Sequence, residues 1–296
     1  MIPQLPWFAF FSMLAPFLIM LREGIEAALI TGIVASYLYR TGRAQWMPAV
    51  WLGVFLAVAL ALFVGAGLEL ASAEFPQKAQ ELFEAIVGLI AVGVLVSMIF
   101  WMRKAARSIK GELEHSIEEA LASPASSGWA LIGMVFFAVA REALESVFFL
   151  LAIFEQSVGP AAPIGALAGI IGAAAVGYAI FVGGVRINLR LFFRWTGVFI
   201  LIVAGGILSA SIRSLHEAGL WNALQQTPFD FSGVLSPSSV AGVILTGIFN
   251  YQAAPTAGEM IAWFGFLAVT LYLFLRPEAP PGATARPTPA PRNVRA

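Results

Sequence analysis

Two pentapeptides carry most of the chemistry this chain can offer: Arg22-Glu23-Gly24-Ile25-Glu26 and Arg141-Glu142-Ala143-Leu144-Glu145. Each sets two carboxylates and one guanidinium inside a long apolar run. In a helix Glu23 and Glu26 share a face, as do Glu142 and Glu145, while Arg22 and Arg141 each precede the second glutamate by four residues and are spaced to pair with it. Two carboxylates against one guanidinium leave one negative charge per motif and two for the pair. Oxygen ligands without sulfur suit a hard cation, and a divalent ion would neutralise that surplus. Protonating one or two glutamates, as in a proton relay, also removes the charge. A structural salt-bridge cluster is the third possibility, although it would be less costly if balanced. The residue types favour the cation site.

The elements that must position these residues are membrane helices. The 296-residue chain is 59% hydrophobic and 11% charged, with a mean hydropathy of +0.85. Its apolar runs approach the roughly 20 residues that cross a bilayer. This profile predicts an all-α, polytopic membrane protein, because helices satisfy their own backbone groups in lipid. An ionisable residue at the bilayer centre costs roughly 2.5–3.5 kcal/mol on insertion scales, so six of them call for a function. A net charge of zero gives no reason to expect a nucleic-acid partner. The absence of cysteine excludes disulfides, thiolate ligands and cysteine nucleophiles. With two histidines and no His-Glu-x-x-His, a membrane-embedded metalloenzyme is the weaker alternative, and no catalytic residue or resident cofactor is assigned.

Apolar windows predict seven spans: 8–38, 47–68, 82–102, 129–154, 162–185, 195–212 and 260–275. The first is long for one crossing, so a tilt or a break near Pro16 is expected. No basic segment precedes it, so it reads as a retained helix. Thirteen of the 17 basic residues fall on one side, at Arg40 and Arg43, at 103–110, at 186–194 and at 276–295, against Lys78 and Arg213 on the other. That bias places the N-terminus outside and the C-terminus in the cytoplasm of an inner or plasma membrane. The connection 103–128, with His115 among glutamates, reads as an amphipathic or solvated cytoplasmic helix rather than a metal sensor. The connection 213–259 reads as a long outer loop, and the Pro- and Ala-rich segment 277–296 as a disordered cytoplasmic tail following a permease domain over 1–275.

The motifs are 119 residues apart (141 − 22). That offset lays span four on span one and span two near span five. Two inverted three-helix repeats, at about 8–102 and 129–212, followed by a seventh helix at 260–275, are expected, an arrangement that sets binding sites at the midplane.

Paired Arg-Glu-x-x-Glu sequences on the first and fourth of seven helices resemble the high-affinity iron permease family, the oxidase-linked permeases of fungi and their bacterial relatives. Phe83-Glu84, Trp101-Met102-Arg103 and Leu215-His216-Glu217-Ala218-Gly219 extend the resemblance along most of the chain. The resemblance implies that iron ions are the transported substrate. It puts iron handling on Glu23, Glu26, Glu142 and Glu145, supported by Arg22 and Arg141, and implies an oxidase or peroxidase partner outside the membrane. Ala143 replaces the family's usual glycine, which affects helix approach more than ligand chemistry.

An outer entry site is expected from Glu81 and Glu84 at the start of the third span, and from His216 and Glu217 after the sixth. Helix-terminal charge and solvation are the simpler accounts of these residues. Glu69 with Glu74, or Glu217 with Asp230, are alternatives for an outer capture site. A proton-coupled carrier of lead or manganese is the alternative function.

Overall fold

The computed structural model describes residues 6–73, 76–105, 109–121, 127–154, 160–181, 188–236, 239, 241–242, 245–246 and 250–276. Among these residues there is no strand. The helices are α1 (Pro6–Arg40), α2 (Met47–Ala73), α3 (Gln77–Ala105), α4 (Ile109–Ala120), α5 (Ser127–Phe154), α6 (Ala161–Phe181), α7 (Leu189–Glu217) and α8 (Ala257–Leu275). Each apolar run expected from sequence coincides with one long helix, the end of the 162–185 run and the whole of the tail lying outside the described residues. By length and composition five stretches of the described residues can cross a membrane: Ala44–Ala71, Gln77–Met102, Ala161–Phe181, Leu191–Glu217 and Ala257–Leu275. Helices α1 and α5, at 35 and 28 residues, are as long but interrupt their apolar surface with the two charged motifs.

Helix ends are set by polar caps. Asn188 Oδ1 accepts from the Leu191 N–H at 3.1 Å to start α7, and Thr256 Oγ1 accepts from the Glu259 N–H at 3.2 Å to start α8. Of the tilt or break expected near Pro16, no break occurs, since α1 runs through it. A proline removes one backbone donor, and neighbouring helices can support the turn it weakens.

Within α6, Gly165, Gly169, Ala173 and Gly177 recur every fourth residue, and all four lie against α1. A Cβ added at Gly169 would stand 2.5 Å from the Phe17 carbonyl oxygen, and one added at Gly177 would stand 2.6 Å from the Ala28 Cβ. One added at Gly24, inside the first motif, would stand 2.5 Å from the Ala173 Cβ. Lipid offers no hydrophobic drive between helices, so close backbone approach supplies the packing. A Cβ added at Gly53 of α2 would likewise stand 2.8 Å from the Ile132 carbonyl oxygen of α5. Replacing Gly169 with Leu, whose side chain would meet backbone that cannot yield, is expected to cost at least about 1–3 kcal/mol. A lower melting temperature in detergent measures it. Gly265→Leu, in open space on α8, is the control that should melt like the parent.

The most extensive packing pairs are α1 with α6, α2 with α5 and α3 with α7; α8 rests on α7, and α1 and α3 both meet α5. With α6 covering one side of α1, the motif face is left to α5 and α3. Helix α4 is a packed strut. Its Ile117 is fully buried beside Val34, Leu38, Val50 and Leu131, and Tyr37 O–H donates to Glu118 Oε1 at 2.9 Å. His115 pairs with Glu119 at 3.3 Å on the exposed face, as a solvated residue would.

Candidate metal centre

The intrahelical pairing that the four-residue spacing predicts is present in both motifs. Arg22 Nη2 lies 3.2 Å from Glu26 Oε1, and Arg141 Nε donates to Glu145 Oε1 at 3.0 Å. Arg22 does more, since its Nη1 also reaches Glu23 Oε1 at 3.4 Å and Met98 Sδ of α3 at 3.3 Å. The crossing of α1 and α5 then joins the motifs. One carboxylate oxygen from each of Glu23, Glu142 and Glu145 lies within 4.8 Å of the other two. Oxygens on opposite sides of one hard cation, at bonds of about 2.1–2.4 Å, are separated by about as much.

Glu26 stands outside this trio; its Oε1 lies 3.2 Å from Arg22 Nη2, within ion-pair range but without a hydrogen bond. Glu23, Glu26 and Glu142 are buried. The Oε2 atoms of Glu23, Glu142 and Glu145 are all shielded from solvent without a hydrogen-bond partner. Buried polar atoms are ordinarily satisfied, so three carboxylates from two helices that approach one another this closely, each with an unpartnered oxygen, suit a bound cation better than a closed salt-bridge cluster.

The sequence matches the iron permease FTR1 family over residues 13–277. The chain belongs to that family. It is 54% identical to the ferrous iron permease EfeU of Yersinia pseudotuberculosis over 275 residues, which is 93% of this chain and 95% of the relative. It is 52% identical to the ferrous iron permease EfeU of Escherichia coli O157:H7 over 273 residues, 92% of this chain and 99% of that one. No solved structure matches it.

At the far end of α3 the permease brings together three of the four residues expected at an outer entry. The Glu81 carboxyl is in hydrogen-bond contact with Glu217 at the end of α7 and lies within electrostatic reach of Glu84. Glu84 itself accepts from Gln80 Nε2 at 3.3 Å. His216 turns elsewhere, its ring 5.4 Å from that of Trp221, and its Cε1 would stand 3.4 Å from a Cβ added at Gly258 of α8. Among the alternative outer acids, Asp230 is exposed and bound into its own loop. Hydrogen bonds from the Ser232 side chain and, at 2.8 Å, from the Ser232 N–H hold its carboxyl below the usual value. Glu69 is exposed, and Glu74 lies outside the described residues.

Three features escape the sequence reading. Trp101 of α3 places its ring 4.2 Å from Arg141 Cζ, so α3 touches the arginines of both motifs through Met98 and Trp101. Glu259, 3% exposed, is paired with Arg213 at 3.2 Å, and with its amide assigned so that the oxygen faces the guanidinium, Gln252 accepts from the same Arg213 at 3.0 Å. The run Thr256-Ala257-Gly258-Glu259 is the legible signal, a capping pattern that ties this glutamate to the start of α8. The 213–259 connection also does not stay at the helix ends. Asn250, in a left-handed conformation at φ 51°, donates to the Gly206 carbonyl in the interior of α7 at 3.2 Å. Because Asn tolerates that conformation, the chain can turn there without glycine.

Proposed function

We propose that the permease carries ferrous iron into the cytoplasm and that the ion binds between α1 and α5 on Glu23, Glu142 and Glu145, with Glu26 completing the set as Arg22 rearranges. The observation that carries this reading is the approach of the Glu23, Glu142 and Glu145 carboxylates to within 4.8 Å of one another, each with one shielded oxygen that has no hydrogen-bond partner. The ferrous state follows the names of the EfeU relatives. Arg22 and Arg141 hold the carboxylates ionised and oriented. Glu81, Glu84 and Glu217 form the outer entry, where a diffuse acidic patch concentrates cations before they reach the cluster.

In this reading α1, α2, α3, α5, α6, α7 and α8 cross the membrane seven times, with the N-terminus outside and the C-terminus in the cytoplasm. The first three and second three crossings form inverted repeats. The packing supports it, because the first crossing pairs with the fifth, the second with the fourth and the third with the sixth, each pair mapping onto another or onto itself when the halves are exchanged. Rocking of one half against the other would open the cluster to each side in turn. An oxidising partner outside the membrane, implied by the family resemblance, would hand over the ion.

The test is uptake into proteoliposomes containing the purified full chain, with Fe(II), Fe(III), Mn(II) and Pb(II) offered separately. Uptake is expected for Fe(II) above all others. Manganese or lead taken up with iron ignored would replace iron as the cargo.

A further inference from the structure

The two motif arginines are held by different means. Arg22, its side chain 2% exposed, is walled in and addresses Glu23 and Glu26 through separate terminal nitrogens. Arg141 has a side chain 43% exposed and reaches Glu145 only through Nε, on Oε1. A guanidinium that is free to turn presents two N–H groups to both oxygens of a carboxylate, the stronger and commoner geometry. Arg141 does not: it donates from Nε alone, with its Cζ held 4.2 Å from the centroid of the Trp101 ring. Glu145 Oε2 is left without a partner, as are the Oε2 atoms of Glu23 and Glu142, whose carboxylates each bring one oxygen within 4.8 Å of one of Glu145's.

We infer that Trp101 is a positioning residue of the permeation site: by stacking on Arg141 it confines that guanidinium to one oxygen of Glu145 and keeps the other for the ion. The inference rests on the carboxylate cluster being the iron site. Burial does for Arg22 what the ring does for Arg141, which is why an aromatic residue is needed on the exposed side alone. Met98 and Trp101, three residues apart on one face of α3, make that helix the common support of both motifs.

The experiment measures Fe(II) affinity anaerobically on the purified full-length permease in four variants. Trp101→Leu frees Arg141 to close over both oxygens of Glu145 and is expected to weaken Fe(II) binding about fivefold or more. Trp101→Phe keeps a ring face and should stay within about twofold of the parent. Arg141→Gln removes the competing guanidinium, and in that background Trp101→Leu should have no further effect. A Trp101→Leu loss that persists in Arg141→Gln would mean that the ring serves packing alone and would overturn the inference. Equal loss in Trp101→Phe and Trp101→Leu would do the same. Melting temperatures of the same four variants without iron read the Trp101–Arg141 contact on its own. A parent that binds no Fe(II) while this contact is intact would instead overturn the iron-site reading beneath the inference.

Discussion

Glu142→Gln should reduce Fe(II) uptake into proteoliposomes at least about a hundredfold, the upper end of what losing even an indirect metal contact costs. Glutamine keeps the size of the side chain and removes the charge. The variant should therefore insert and fold like the parent while one of three anionic oxygens within 4.8 Å of one another becomes a neutral donor or acceptor. Glu23→Gln should match it, since Glu23 supplies the corresponding oxygen from α1. Normal uptake by both variants would remove the cluster from the transport path. Glu81→Gln tests the contrast: a residue that concentrates cations at the entrance should change the iron concentration needed for half-maximal uptake more than the maximal rate.

Arg22→Met is expected to destabilise the permease by about 3–5 kcal/mol, because it strips the cation from two buried carboxylates. Both Glu23 and Glu26 lie within 3.4 Å of that guanidinium. Thermal unfolding in detergent gives the loss, and adding Glu26→Gln should recover part of it by removing the stranded charge. The same change at Arg141 should cost less, because that guanidinium pairs with the one carboxylate of Glu145 where Arg22 serves both Glu23 and Glu26. Equal losses at the two positions would mean that Arg141 serves as much buried charge as Arg22.

The helices, the charged motifs and the pairing inside each motif are legible in the amino-acid order. Apolar run length reports helices that must satisfy their own backbone in lipid. The four-residue interval from Arg22 to Glu26 and from Arg141 to Glu145 fixes those contacts at 3.2 and 3.0 Å, since a helix sets the relation between residues one turn apart wherever it lies. The every-fourth-residue glycines of α6 are legible for the same reason, once small residues are read as a packing signal. The capping run from Thr256 to Glu259 belongs with them.

What the order of residues leaves open is every relation between helices. Whether Glu26 or Glu23 joins Glu142 and Glu145 depends on how α1 is rotated against α5, and a small rotation exchanges one carboxylate for the other. The burial of Arg22 against the exposure of Arg141, two residues alike in local sequence, is decided by which neighbours cover each helix face. The depth to which Asn250 reaches beside α7, and the pairing of Glu259 with Arg213, depend on where a long connection comes to rest. The periodicity of one helix determines its own faces, while tertiary packing alone decides what each face meets; the carboxylate cluster is made of such meetings.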